Sequence, residues 1–444
     1  MRRPTASRNE KRLIGNRYGC SAMLIFVIVV MNLIQAKYFW GMHMQLWRHL
    51  DVSMSGFDQP VPSSSAELRF PPLPLVPKNE SFGACFVVKG DNDLLSEWIP
   101  YHYTILPLRY LVVVTDDDNK EDPTVVLKKW TTAQTDLNWW VFNISEFESI
   151  HGEFDAEAAF KSSLSKIHRK EKMPSNGTIH PKVYEEFAHK KLIHKQNAMI
   201  THCTKFMKER GVRWTSLYDT DEFLAINRIG ADEQREQRNK TIENAETSDD
   251  TYGVRPYLPP IDSNATVVDI IQSFQKAKEP LESCHVLPRV LFGASENITC
   301  PGSEDVKAFA RENFNYPGLS TLRFQQHAAK TDFENNKFGK VFVDVSNISD
   351  DLLAGRPRNI HRPFPGVCKR PIVSIQDSPF YLMHYVGRWE RFQAKNDTRR
   401  GYKKWREMAD VSDSTSCCQQ EAYRWLHRFV DQVGLRRARF LLGE

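Results

Sequence analysis

Three Asp-x-Asp triplets occur in the sequence: Asp91-Asn92-Asp93, Asp116-Asp117-Asp118 and Asp219-Thr220-Asp221. At this aspartate frequency about one or two arise by chance. The third has a context that the others lack. Residues 213–226 read RWTSLYDTDEFLAI. Trp214, Leu217 and Tyr218 are large strand formers that run into the carboxylates, and Phe223, Leu224 and Ile226 follow. An apolar run ending in clustered acids reads as a buried strand whose tip meets solvent. In open α/β sheets, ligands bind in the crevice beyond such tips. Two aspartates one residue apart there can share a divalent cation, through their oxygens or bound water. A cation so held neutralises a leaving diphosphate. That is the chemistry of sugar transfer from a nucleotide donor. The plainer reading is an acidic strand-to-loop turn without metal.

Positioning that pair takes a sheet, and the preceding residues supply one. Residues 84–89 (ACFVVK) read as a short buried strand, 94–106 as a helix, and 110–115 (YLVVVT) as a second strand. Strand, helix, strand of this length is a βαβ unit and implies a parallel sheet. The second strand ends in Asp116-Asp117-Asp118, which reads first as a solvated turn, with Asp116 also placed to meet a nucleotide's ribose or base. A helix over 123–130 and a third strand over 138–143 (NWWVFN) follow. Residues 148–182 are polar and basic and read as a partly helical insertion. A long helix over 184–208 leads to the central strand. From it His189 and His194, or Lys195 and Gln196, can point at a donor, although a histidine on a helix is more often at the surface.

Beyond the central motif, 232–250 has no apolar periodicity and reads as a loop. A helix over 266–274, capped at its start, comes next. Strands are predicted over 286–292 (VLPRVLF), over 338–345 carrying Lys340, and over 380–385 (FYLMHY) carrying His384, with His361 near a strand end. Residues 412–442 have the spacing of a C-terminal helix. There is no internal repeat.

The formal charge of +5 resides in residues 1–20, which hold six basic side chains and one acid. The rest balances, so the basic domain of a nucleic-acid binder is missing. Residues 19–36 form an apolar stretch of about the length that crosses a bilayer. The basic tail before it and the aromatic residues Tyr38, Phe39, Trp40 and Trp47 after it fit a signal anchor with the N-terminus cytosolic. The competing reading, a cleaved signal peptide, lacks a clear small-x-small site. Eight Asn-x-Ser/Thr sequons begin at Asn79, Asn143, Asn176, Asn239, Asn264, Asn297, Asn347 and Asn396. About two or three are expected from composition, and all eight follow the apolar stretch. Eight cysteines fit an oxidising compartment. Cys284 and Cys300 are close enough in sequence to bridge, and Cys85, Cys203, Cys368, Cys417 and Cys418 cannot be paired from sequence. The expected organisation is a basic tail (1–18), an anchor (19–40), a Pro/Ser-rich stem (41–80), a catalytic domain (81–400) and a helical C-terminus (401–444).

Taken together, these segments resemble the family 92 glycosyltransferases and the related family 2-like enzymes over residues 82–395. KGDNDLLSEWIPYHY places Glu97, Trp98 and His102 where the family has Glu-Trp followed shortly by His. Lys195-Gln196-Asn197 matches a glutamine-containing helix. YDTDEFL is the most specific piece, with Thr220 where the family often has Ile. GKVFVDV carries Lys340, NIH carries His361, and HYVGRWERFQAK carries His384, Tyr385 and Lys395. Gly387-Arg388 stand where the family often has Ser before Trp-Glu or a related pair, which bears on the choice of acceptor.

The resemblance implies a GT-A fold, an α/β Rossmann-like and mostly parallel sheet flanked by helices. It implies a nucleotide-sugar donor, a glycan or glycoprotein acceptor, and Mn2+ or Mg2+ as cofactor. Family members invert the anomeric centre and some transfer galactose. On this reading Asp219 and Asp221 bind metal and donor, with His361 or His384 completing the metal's ligands. Glu222 stands behind them or faces the ribose, Lys340 contacts the diphosphate, and Asp116, Lys195 and Gln196 contact the donor. The cell would hold the protein as a single-pass type II protein of the Golgi membrane, with its catalytic domain lumenal. Two rivals remain: an inactive relative that keeps the fold as a lumenal binding protein, and a metal-dependent phosphohydrolase. The latter usually recruits carboxylates or histidines from several strand tips for two metals.

Overall fold

The computed structural model describes residues 70–170, 178–228, 265–276, 283–296, 300, 302–328, 339–354, 360–364, 366–368, 375, 378–394, 402–411 and 421–443. The chain divides into two units, Met1–Glu67 and Leu68–Glu444, and every described residue belongs to the second. The expected anchor, the loop over 232–250, Lys395, Cys20, Cys417, Cys418 and the sequons at Asn176, Asn239, Asn264, Asn297 and Asn396 lie outside the described residues, as does the expected stem up to residue 69. Among the described residues no helix is long and apolar enough to cross a membrane.

In chain order the elements are β1 (Phe82–Val88), α1 (Asn92–Ile105), β2 (Leu108–Thr115), α2 (Thr124–Thr132), β3 (Asn138–Asn143), α3 (Ile144–His151), α4 (Ala156–His168) and α5 (Pro181–Glu209). Next come β4 (Trp214–Leu217), β5 (Glu222–Ile226), α6 (Val267–Lys276), β6 (Cys284–Leu287), β7 (Arg289–Phe292), α7 (Glu304–Asn313) and the short α8 (Ser320–Arg323). Then follow β8 (Lys340–Asp344), α9 (Asp350–Ala354), β9 (Phe380–Tyr385), α10 (Trp389–Ala394), α11 (Tyr402–Ala409), α12 (Glu421–Val433) and α13 (Leu435–Leu441).

The strands form a six-stranded sheet in the order β3-β2-β1-β4-β8-β6 and a three-stranded sheet in the order β5-β9-β7. The fold is mixed α/β with a parallel-rich sheet. β3, β2, β1 and β4 run parallel, as the βαβ pattern predicts; β8 pairs antiparallel with β4, and β6 pairs antiparallel with β8. β2 is covered on both faces, which is why it reads as a continuous run, with Leu111, Val112, Val113 and Val114 all fully buried. β2 and β3 extend to one side of β1, and β4 lies on the other. The strand order therefore reverses between β1 and β4, the place where such sheets hold ligands.

The strand expected ahead of the carboxylates is β4, which ends at Leu217, and the apolar residues after them form β5 from Glu222. The chain passes there from the large sheet to the small one. Residues 286–292 do the same at Pro288, which has no N–H to give a ladder and whose carbonyl accepts from Leu382 N at 2.8 Å. The insertion over 148–182 contains the end of α3 and all of α4, packed along α5. Asn143 caps α3: its side chain accepts from Ser145 N at 2.9 Å, while Glu146 returns to Asn143 N at 2.8 Å. Thr266 and Asp269 cap α6 in the same reciprocal way. The single helix predicted over 412–442 begins outside the described residues and breaks at Gly434, whose φ of 83° suits a residue without a Cβ. Its Trp425, Leu426 and Phe429 are fully buried in the main core.

Cysteine pairing corrects one expectation. Cys85 joins Cys203, tying β1 to α5, and Cys284 joins Cys368 rather than Cys300. Cys300 is disulfide-bonded too, but not to Cys284. Proximity in sequence misleads here because Cys284 lies on β6, and the folded chain brings Cys368 to 5.0 Å from it, Cα to Cα.

Candidate donor-binding site

The Asp219–Glu222 turn is closed twice. Glu222 N donates to Asp219 O at 3.1 Å, and Asp219 N donates to Glu222 Oε2 at 3.0 Å. Tyr385 N donates to Asp221 O at 2.9 Å, so β9 fixes the turn's far end. Alternation then does the rest. Thr220 and Glu222 are buried, while the side chains of Asp219 and Asp221 are 52% and 24% exposed. Both aspartates line a cavity of about 490 Å³. Its other lining residues include Asp91, Asp116, Asp118, Lys191, Lys195, Gln196 and His384.

The turn is held from behind by α1. β5 is an edge strand, and its outer polar groups are satisfied by side chains of that helix. Trp98 Nε1 donates to Glu222 O at 2.9 Å, Tyr101 Oη to Leu224 O at 2.9 Å, and Leu224 N donates to His102 Nε2 at 3.1 Å. Because His102 Nδ1 donates to Trp98 O at 2.8 Å, Nε2 is left as the acceptor. Burial pushes the His102 pKa down to about 3, so the ring stays neutral. Glu97 on the same helix accepts from Ser320 N at 2.7 Å and from Thr321 N at 2.9 Å, at the start of α8. Burial pushes its carboxyl up to about 7 against those donors. The Glu-Trp-x-x-x-His pattern is thus the brace between α1, the Asp219–Glu222 turn and Ser320, itself a lining residue.

Beneath the turn lies a charge cluster. Lys340 Nζ is 2.7 Å from Asp219 Oδ2 and 3.7 Å from Glu222 Oε2, and Arg289 Nη1 is 3.7 Å from Glu222 Oε1. Two placements differ from expectation. Lys340 is buried and faces Asp219 rather than lining the cavity, because β8 pairs with β4 and turns it inward. Glu222 is equally buried and faces Lys340 and Arg289, the place behind the aspartates that was the first of its two expected positions. His361 does not line the cavity either: its Nδ1 lies 2.5 Å from Gly339 O, and burial, then the Lys340 charge, lowers its pKa.

Asp116 carries another difference. Lys195 Nζ lies 2.5 Å from Asp116 Oδ1 and 2.8 Å from Asp117 Oδ2, so the expected solvated turn is an ion-paired one. Lys89 pairs with Asp118 at 3.2 Å. Arg391 bonds Asp93 at 2.6 Å and Asp91 at 3.3 Å. All three Asp-x-Asp triplets therefore reach one cavity, and each is ion-paired with a lysine or arginine, Asp219 with Lys340. His194 and His189 do not line it. The His194 ring packs on His151 and Phe154, with Nε2 4.0 Å from Glu148. Sequence reasoning missed Lys89, Arg289 and Arg391. Asp91-Asn92-Asp93 was the one available signal for Arg391.

Whether these residues suit a divalent cation can be judged from their donors. Among the described residues, no group of three or more His, Cys, Asp or Glu is arranged to hold a metal. What the turn offers is two carboxylates, with His384 Nε2 3.7 Å from Asp221 Oδ1, beyond hydrogen-bonding range. His384 Nδ1 is buried and has no hydrogen-bond partner among the described residues. Two carboxylates plus ligand phosphates and water is the usual donor set for a magnesium-like ion, so the residues fit a cation that arrives with a diphosphate.

No family model matches the chain, and no curated protein does. Among solved structures, the chain is similar to the crystal structure of core-mannan synthase A from Aspergillus fumigatus in its Mn/GDP form. The likeness covers 69% of this chain and 72% of that one, at 11% identity and a TM-score of 0.28.

Proposed function

We propose that this protein is a GT-A glycosyltransferase, similar to family 92, that moves a hexose such as galactose from a nucleotide sugar to a glycan or glycoprotein. The carrying observation is the convergence of Asp219, Asp221, Lys195, Lys191 and Gln196 on one cavity at the β1/β4 reversal of strand order. The basic wall suits a diphosphate. Asp219 and Asp221, with His384 beside them, would hold Mn2+ or Mg2+, which supplies charge neutralisation for the departing diphosphate. Lys340 fixes one oxygen of Asp219 and leaves the carboxylate facing the cavity. In the transfer, the acceptor oxygen bonds to the anomeric carbon as the carbon–phosphate oxygen bond breaks. The hydroxyl proton passes to a carboxylate acting as general base, and the diphosphate carries away the electron pair of the broken bond. A single displacement of this kind inverts the anomeric centre.

The setting follows the same reading: a type II Golgi membrane protein anchored by residues 19–40, with its catalytic domain in the lumen. The sequon excess and the buried disulfides support an oxidising, glycosylating compartment.

The test is calorimetric titration of UDP and GDP with Mn2+, together with donor hydrolysis across the common nucleotide sugars. The protein binds a nucleoside diphosphate and hydrolyses one donor, and Asp219→Ala with Asp221→Ala loses both by about a hundredfold or more while staying folded. Unchanged binding and hydrolysis in the double variant would overturn the assignment.

A further inference from the structure

One wall of the cavity is left over by the chemistry of the donor. It comes from the end of β9, α10 and α11 rather than from the large sheet and α5, and it presents Val386, Gly387, Phe392 and Met408. A diphosphate has no use for an apolar wall. A transferase, however, needs a second substrate in the same cavity.

The wall is aromatic in depth. The Phe392 ring packs 5.9 Å from Trp389, and Trp389 meets Tyr402 edge-on at 5.0 Å and Trp405 at 5.7 Å. Trp405 Nε1 donates to Gly387 O at 3.1 Å. Gly387 has a φ of 70°, a conformation that fits glycine and turns the chain from β9 into α10. Tyr402 remains 53% exposed.

The wall is also fixed at both flanks. Arg391 ties α10 to Asp91 and Asp93 at the start of α1. Arg388 ties it to Glu296 at 2.5 Å, and Glu296 in turn bonds Arg323 at 2.6 Å. An aromatic surface held rigid beside a few fixed polar groups binds ligands at low ordering cost. It matches a sugar ring, whose C–H face packs on an aromatic plane while its hydroxyls find polar partners.

We infer that the α10–α11 aromatic wall is the acceptor subsite, and that its occupant is a pyranose ring seated against Phe392. The inference rests on the glycosyltransferase reading above and adds to it where the second sugar binds. Phe392 is here a specificity-determining residue that touches the acceptor and not the donor.

Saturation-transfer NMR on the full-length protein, with Mn2+ and UDP or GDP present, tests this. The probes are the methyl glycosides of galactose, glucose, mannose and N-acetylglucosamine. At least one shows saturation of its ring protons on the wild-type protein. Phe392→Ala and Phe392→Leu each reduce that signal about fivefold or more, as loss of a central aromatic contact does. Nucleoside diphosphate affinity stays within about twofold, since the two walls are separate. Phe392→Leu preserves apolar packing, so its melting curve controls for misfolding. No saturation by any glycoside on the wild type, or equal saturation on the folded Leu variant, would overturn the inference. Loss of diphosphate binding by the wild type would instead sink the donor reading, and the two failures are told apart by that calorimetric arm.

Discussion

Lys340 Nζ stands 2.7 Å from Asp219 Oδ2, with 4% of the lysine side chain and 52% of the aspartate side chain exposed. The cation is inside and the carboxylate reaches out. Burial alone would lower the Lys340 pKa; Asp219 and Glu222, with Asp221, outweigh it and hold the ammonium above its ordinary value. Replacing it with Lys340→Met leaves Glu222 buried, with the Arg289 guanidinium 3.7 Å away. Removing one member of a buried pair costs about 3–5 kcal/mol. Urea unfolding should show a loss of about 3 kcal/mol for Lys340→Met, a smaller loss for Lys340→Arg, and a parallel fall in donor hydrolysis. Undiminished stability in the Met variant would remove Lys340 from this role.

His102 carries a second prediction. His102→Phe keeps a ring in place but removes the acceptor for Leu224 N. An unsatisfied buried N–H costs about 1–3 kcal/mol, and the variant should lose that much in urea unfolding at pH 7. The pH dependence has a definite sign. The folded pKa is depressed to about 3 from an unfolded value of 6.5, so the unfolded chain takes the proton first as pH falls. The stability from neutral His102 is fully present above pH 6.5 and is lost as pH falls toward 3. The Phe variant lacks that part of the acid loss.

Glu97 gives the opposite slope one helical turn away. Its folded pKa is raised by burial to about 7 from 4.5. Stability from the protonated carboxyl is therefore full below pH 4.5 and is lost as pH rises through 7. A displacement of this size corresponds to about 3 kcal/mol. Glu97→Gln removes the titration, so the wild-type stability advantage over this variant should shrink between pH 4.5 and 7. Unfolding curves at several pH values check this, and an advantage that is constant with pH would refute it.

What was legible in the sequence follows from range. β1, α1, β2, α2 and β3 announce themselves because continuous β-branched runs and helical spacing are local signals. Asp219 and Asp221 were legible for the same reason, as acids at the end of an apolar run. The passage of the chain between sheets at Pro288 and at the Asp219–Asp221 turn was not, because a strand's sheet is chosen by distant partners. β5 pairs with β9, about 160 residues downstream, through Glu222 and His384. Lys195 and Asp116 are 79 residues apart, and Arg391 and Asp91 are 300. Those pairs, like that of Lys340 with Asp219, set the charge around the cavity from residues far apart in the chain and so leave no local mark in the sequence.

Lys195 is the sharpest test of the basic wall. Without ligand it rests on Asp116 and Asp117 with its side chain 14% exposed. Those charges, acting against its partial burial, raise its pKa, so it stays cationic. A diphosphate entering the cavity competes with the two aspartates for it. Lys195→Ala therefore does two things: it removes a phosphate contact, and it leaves Asp116 to repel the ligand. Adding Asp116→Asn relieves the second effect alone. Titration of the nucleoside diphosphate should show affinity falling about tenfold or more in Lys195→Ala and partly recovering in the double variant, a non-additive cycle of the kind that coupled charges give. The wild-type affinity should also weaken as salt rises. Unchanged diphosphate affinity in Lys195→Ala would make Lys195 a tether between α5 and the end of β2, with no part in holding the donor.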